Sequence, residues 1–152
     1  MILSAACIAL LGAAPHTASA KTEKVISQQR MTKQYRLLLQ IGPPESMGMN
    51  MGSQVCSMPG MSMSGSKGMK TCNHHVELHV FNRKTGQPQH GLHVGISLRN
   101  MHSKSTIIVP VTTMGTGKDF HYGNNIYAPA GTYFVSVTVN RNPIHFNPVR
   151  LT

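Results

Sequence analysis

From residue 74 onward, the chain alternates apolar and polar side chains in short runs, the pattern of half-buried β-strands. Segment 74–80, which reads HHVELHV, is the clearest run, and segments 94–98 and 133–139 repeat it. Gly- and Pro-containing turns separate the runs, and no helical period appears. The pattern predicts an all-β fold of about six or seven short strands, an immunoglobulin-like antiparallel β-sandwich.

Other segments extend this prediction along the chain. Further strands are expected at 35–41 (YRLLLQI), 106–109, 124–127 and 145–151. The polar segment 21–32 is expected to be a loose leader, which leaves 33–152 as a single sandwich domain. A chain of 152 residues has room for one such domain.

The amino-terminal segment has the features of an export signal. Residues 2–14 are nearly all apolar or small, and Ala18-Ser19-Ala20 supplies a small-residue cleavage site. We therefore predict a signal peptide at 1–20 and a periplasmic or secreted mature protein.

Removal of the signal peptide leaves two cysteines, Cys56 and Cys72. Paired cysteines in an exported chain favour a disulfide. The alternative is that both are thiolate ligands of copper.

The charge balance limits the function further. Lys plus Arg number 14 and Asp plus Glu number 4, giving a net charge of +10. So few carboxylates exclude an acidic calcium protein and argue against a two-carboxylate hydrolase. A basic chain suits an acidic protein partner or an anionic membrane surface. Scattered basic residues without interleaved aromatic residues argue against nucleic-acid binding.

The segment 45–72 is rich in Met, Gly and Ser and shows no apolar period, so it is expected to be a flexible loop. Its methionines are Met47, Met49, Met51, Met58, Met61, Met63 and Met69. Thioethers are soft ligands that select Cu(I), and methionines among Gly and Ser are not placed for core packing. The loop is predicted to collect Cu(I), with Cys56 or the pair His74-His75 completing the site. The alternative is a linker without function.

Two groups of residues further along the chain have metal-binding chemistry. On a strand, His75, Glu77 and His79 share one face, and imidazole with carboxylate suits Cu(II), Zn(II) or Fe(II). The alternative is the solvated face of an edge strand. Met114 and His121 are seven positions apart in a glycine-containing loop that can close them onto one site. The alternative is that Met114 fills a core gap and His121 is exposed.

Together these motifs resemble one family. The pattern is His75-x-Glu77, Met114, His121 in HYG-x-N, and GTY-x-x-x-V at 131–137. It resembles the periplasmic copper- and iron-associated β-sandwich proteins that accompany bacterial high-affinity iron-uptake permeases.

The resemblance implies an immunoglobulin-like sandwich that often dimerises. It also implies a copper site built from His75, Glu77, Met114 and His121, with one further histidine. His145 is the candidate for that further ligand.

These observations predict an exported copper-binding protein for metal handling or delivery, holding Cu(II) or Cu(I), with iron as a second candidate metal. It is not expected to be an enzyme, because no Ser/His/Asp order or Cys/His pair indicates a hydrolase. One alternative is a periplasmic partner of an iron-uptake permease. The other is a metal-free immunoglobulin-like adhesion or assembly module.

Overall fold

The structure, a computed structural model, describes residues 24–45, 55–56 and 70–152. The strands of these ranges are β1 (Ile26–Met31), β2 (Tyr35–Gly42), β3 (Val55–Cys56), β4 (Lys70–Thr71), β5 (His74–Asn82), β6 (Val94–Asn100), β7 (Thr106–Val109), β8 (Thr112–Met114), β9 (His121–Ile126), β10 (Gly131–Val139), β11 (Asn142–His145) and β12 (Val149–Leu151). A 3₁₀ turn, Gly117–Asp119, precedes β9.

The strands form two antiparallel sheets that pack face to face. The first sheet has the order β1-β2-β5-β9-β8. The second has the order β11-β10-β6-β7, and β12 also pairs with β10. Strands β3 and β4 form a separate two-stranded ladder. The predicted all-β sandwich is confirmed.

Alternation along the strands builds the core between the sheets. The buried aliphatic side chains are Leu37, Leu39 and Ile41 of β2, Val76, Leu78 and Val80 of β5, Ile96 and Leu98 of β6, and Val135, Val137 and Val139 of β10. Each such side chain contributes about 1.5–3 kcal/mol when fully buried. The intervening residues of each strand therefore lie on the outer face of its sheet, turned away from the other sheet.

Two edge segments differ from the sequence-based prediction. Residues 26–31, expected within a loose leader, form β1 and pair with β2 from Ile26↔Ile41 to Met31↔Arg36. Polar side chains are tolerated there because an edge strand is half exposed, so no apolar alternation marks it. Strand β8 likewise forms where a loop was expected.

Of the expected last strand, 145–151, only Val149–Leu151 forms a strand of its own, β12, while His145 is the last residue of β11, which begins at Asn142. The residues between them include Pro148, which has no N–H to donate to a ladder. In the described part of the chain, no helix is long and apolar enough to cross a membrane.

A disulfide joins Cys56 to Cys72, with the two Cα atoms 5.2 Å apart. The expected bridge is confirmed, and the alternative of two thiolate ligands is excluded for the oxidised chain. The bridge links β3 to the residues that lead into β5. The predicted signal peptide, 1–20, lies outside the described residues.

Candidate metal site

Strand β5 supplies most of a cluster of ionisable side chains on the outer face of the first sheet. Because Val76 and Leu78 enter the core, His75, Glu77 and His79 lie on the opposite face, as predicted. β5 is a central strand between β2 and β9, so this face is not that of an edge strand.

Strand β9 brings its own residues to the same face. His75 pairs with Asn125 and Glu77 pairs with Gly123, while His121 begins the strand. A Cβ atom on Gly123 would lie 2.0 Å from the carbonyl oxygen of Val76, so only glycine allows this close approach of β5 and β9.

The side chains converge on Glu77. Its Oε2 atom lies 3.5 Å from His79 Nε2 and 3.6 Å from His121 Nδ1. The His121 ring centroid is 5.6 Å from that of His75 and 5.3 Å from that of His79. We call His75, Glu77, His79 and His121 the histidine cluster.

The three imidazoles of the cluster are buried, with exposed fractions of 3% for His75, 8% for His79 and 6% for His121. Among the described residues, His75 Nε2, His79 Nδ1 and His121 Nε2 have no hydrogen-bond partner. A buried polar atom without a partner destabilises the fold by about 1–3 kcal/mol. Imidazole nitrogens kept in this state are suited to bind a metal ion.

The second nitrogen of two rings is held by an acceptor. His75 Nδ1 lies 2.8 Å from Asn125 Oδ1, and His121 Nδ1 lies 2.8 Å from the carbonyl oxygen of Asp119. Because an amide oxygen and a carbonyl oxygen only accept, each Nδ1 carries the proton and donates it. Each Nε2 therefore has a lone pair available, the arrangement typical of metal-binding histidines.

Asn125 also positions Glu45, the first residue of the methionine-rich segment. Its Oδ1 accepts from the Glu45 N–H at 3.0 Å, and its Nδ2 donates to the Glu45 carbonyl at 2.8 Å. The exposed Glu45 carboxylate then lies 3.8 Å from His75 Nε2.

Two sets of three residues could each hold a metal ion. One is Glu45, His75 and His121, and the other is Glu77, His79 and His121. Within each set, the ligand atoms all lie within 4.8 Å of one another. Nitrogen and oxygen donors of this kind suit Cu(II), Zn(II) or Fe(II).

The cluster keeps Glu77 ionised. Hydrogen bonding to His79 lowers the pKa of the Glu77 carboxyl below its ordinary value, against the opposing effect of burial. The charges of His79, His121 and His75 lower this pKa further. A carboxylate is therefore present among the imidazoles to balance the charge of a cation.

Met114 lies beside the cluster. It is the last residue of β8 and pairs directly with His121, so both side chains are on the same face. Gly115 makes the turn between them possible: its φ is 71°, and a Cβ there would lie 2.2 Å from the Asp119 carbonyl oxygen. The structure thus brings Met114, His121, His75 and Glu77 to one face.

His145 does not join them. It pairs with Ser136 of β10, and its Nδ1 lies 3.0 Å from Ser136 Oγ. Because Val135 and Val137 enter the core, this pair lies on the outer face of the second sheet. The whole core therefore separates His145 from the histidine cluster.

Two residues near the site were outside the ligand set that the resemblance implied. His79 was recognisable from the H-x-E-x-H spacing, which places it on the face of His75. The sequence around Glu45 does not indicate that it lies beside His75, because its position depends on hydrogen bonds with the distant residue Asn125.

The predicted methionine site, formed by the methionines from Met47 to Met69, lies outside the described residues. Of the residues expected to complete it, Cys56 is in the disulfide. His74 is buried and lies on the face opposite to His75.

No family model matches the sequence, and no curated protein matches it significantly. Among solved structures, the chain is similar to FetP of uropathogenic Escherichia coli, crystallised as isolated after expression in the periplasm. The TM-score is 0.55 at 16% identity, over 79% of this chain and 76% of FetP. A copper-bound variant of FetP matches with a TM-score of 0.55 at 16% identity, over 76% of this chain and 75% of the variant. The chain therefore shares the β-sandwich fold of FetP.

Proposed function

We propose that this protein is an exported copper-binding protein for metal handling or delivery. It holds one copper ion on the outer face of the first sheet through His75, Glu77, Met114 and His121. The observation that carries the proposal is the state of His75 and His121, whose buried Nε2 atoms lack hydrogen bonds. Their Nδ1 atoms donate hydrogen bonds to Asn125 Oδ1 and to the Asp119 carbonyl oxygen, which keeps the proton on Nδ1 and the lone pair on Nε2.

The other two residues supply what copper requires in each oxidation state. The ionised Glu77 carboxylate compensates positive charge and suits Cu(II). The Met114 thioether, opposite His121, is a soft donor that stabilises Cu(I). Four protein donors fill a tetrahedral shell, an arrangement that favours holding an ion over catalysis.

Two likenesses support copper and the periplasm. The fold is that of FetP, of which one solved structure is a copper-bound variant. The sequence motifs independently resemble the copper- and iron-associated periplasmic proteins described above, and residues 1–20 have the pattern of a signal peptide.

The test is a competition titration of the mature chain, from Lys21, with Cu(II) against a chelator. The double variant His75→Ala/His121→Ala is expected to lose tight Cu(II) binding, because it removes the two buried Nε2 atoms that have no hydrogen bond. The matched control His93→Ala/His102→Ala removes two exposed histidines and should bind as the wild type does. Equal affinity of the two double variants would contradict the site. Absence of tight Cu(II) binding by the wild type would favour the metal-free adhesion module.

We further propose that the methionine-rich segment binds Cu(I) separately. Replacing its seven methionines with serine keeps Cys56 and the disulfide while removing the thioethers. The variant should lose Cu(I) stoichiometry, measured against a Cu(I)-specific chelator, and retain Cu(II) binding at His75 and His121. Equal loss of both ions would contradict two separate sites.

A further inference from the structure

We infer that His79 is also a metal ligand, so that the site includes a group of nitrogen and oxygen donors: Glu77, His79 and His121. This group takes Cu(II) or Zn(II) without the thioether of Met114. The inference rests on the proposed metal site and adds to it a donor that the ligand set implied by the family resemblance did not include.

The spacing of the atoms supports ligation. The Glu77 Oε2 atom is 3.5 Å from His79 Nε2, and one ligand atom from each of Glu77, His79 and His121 lies within 4.8 Å of the others. Donors bound at about 2.0–2.1 Å to a tetrahedral ion lie about 3.4 Å apart. The three side chains are therefore spaced as ligands around an ion.

The surroundings of His79 hold its ring in place. The ring is 8% exposed and lies parallel to the Phe81 ring, with the centroids 6.0 Å apart and an interplanar angle of 1°. The Arg36 guanidinium in turn lies 4.1 Å from the centroid of Phe81. A ring fixed by packing on a central strand loses little further freedom when it binds an ion.

Burial sets this histidine apart from the others of similar packing. His90 also contacts a phenylalanine, Phe120, with the centroids 3.9 Å apart, but it is exposed. His79 is buried against a carboxylate and another imidazole, where its Nδ1 has no hydrogen bond among the described residues.

His121 belongs to both three-residue sets. An ion bound by Glu77 and His79 therefore uses the same ring as an ion bound by His75. The two sets therefore meet at a single ion: with Cu(II) or Zn(II), His79 takes the fourth position beside His75, Glu77 and His121. The expected stoichiometry is one Cu(II) or Zn(II) per chain at this face.

The experiment compares the mature wild-type chain with His79→Gln, and with His90→Gln as the matched control. Pulsed electron paramagnetic resonance of the Cu(II) form should count three imidazole nitrogens in the wild type and in His90→Gln. His79→Gln should show two. Its Zn(II) affinity should fall by more than about 100-fold, beyond the effect of losing an outer-shell partner.

A measurement on the wild type covers the case in which His79→Gln does not fold. Zn(II) binding should shift the ¹⁵N resonance of a His79 ring nitrogen in the manner of direct ligation.

Three results would overturn the inference. If His79→Gln kept the wild-type nitrogen count while His75 and His121 remained necessary for Cu(II) binding, His79 would be excluded as a ligand. The proposed function would then stand. An unshifted His79 ring in the Zn(II)-saturated wild type would do the same. Failure of the wild type to bind Cu(II) or Zn(II) would overturn the proposed function and this inference together.

Discussion

At the scale of single residues, Asn125 connects the site to Glu45, the first residue of the methionine-rich segment. One amide side chain accepts from the His75 ring and from the Glu45 N–H, and donates to the Glu45 carbonyl. It therefore fixes both the orientation of a ligand and the approach of an exposed carboxylate.

Asn125→Ala removes these three contacts without replacing a proposed ligand. Cu(II) affinity is expected to fall by about 10- to 100-fold, the effect typical of outer-shell partners, as measured by chelator competition. The control is Asn124→Ala: the Asn124 amide donates to the Pro110 carbonyl and accepts from the Asn125 backbone N–H, so its hydrogen bonds involve no imidazole of the cluster. Wild-type affinity in Asn125→Ala would show that His75 needs no such orientation.

The sequence predicts part of this residue-scale arrangement. His75 and Glu77 share a face because of strand alternation, and Met114 meets His121 because a glycine turn closes the spacing between them. Glu45 could not be predicted, since its place depends on contacts between distant strands. For His145 the resemblance implied a shared site, but the residue lies on the other sheet.

At the scale of secondary-structure elements, the pairing of β5 with β9 creates the site. Gly123 lies opposite Glu77, and the absence of its side chain lets the two strands approach. A Cβ there would lie 2.9 Å from the Cα atom of Glu77 as well as against the Val76 carbonyl.

Gly123→Ala should force the two strands apart, because the added carbon meets backbone atoms that cannot rotate away. We expect a loss of about 1–3 kcal/mol in the free energy of unfolding, measured with denaturant, together with weaker Cu(II) binding. Gly86→Ala is the control: its site is open but φ is 69°, so it adds backbone strain far from the cluster. If both variants bound Cu(II) equally well, strand spacing would not determine the site.

Elements were predictable where apolar alternation is strong. Strands β2, β5, β6 and β10 each present buried residues at every second position, and this periodicity can be read directly. Strands β1 and β8 are edge strands with few buried side chains. Their formation depends on backbone pairing with a neighbour, which local sequence does not reveal.

At the scale of the whole molecule, the disulfide links Cys56 of β3 to Cys72, which lies just before β5. Cys56 and Cys72 are 16 positions apart. A loop of that length stabilises the folded state by about 3 kcal/mol, because it restricts the unfolded chain. The double variant Cys56→Ala/Cys72→Ala should therefore have a free energy of unfolding about 3 kcal/mol lower, seen as a lower denaturant midpoint. An unchanged midpoint, relative to the oxidised wild type, would contradict this.

The two-sheet architecture also determines which histidines can act together. The core between the sheets separates the outer face carrying the histidine cluster from the outer face carrying His145. Sequence patterns predicted the sandwich and the alternating faces. They could not predict strand order, and strand order decides that β9 rather than β11 lies beside β5.

The most direct test of the central claim is to locate Cu(II) on the wild-type chain by the paramagnetic broadening of histidine ring signals. With less than one equivalent of Cu(II), the signals of His75, His79 and His121 should disappear together. The signals of His93, His102 and His145 should persist until copper is in excess. Simultaneous loss of all the histidine signals, or early loss of His145, would contradict a copper site on the outer face of the first sheet.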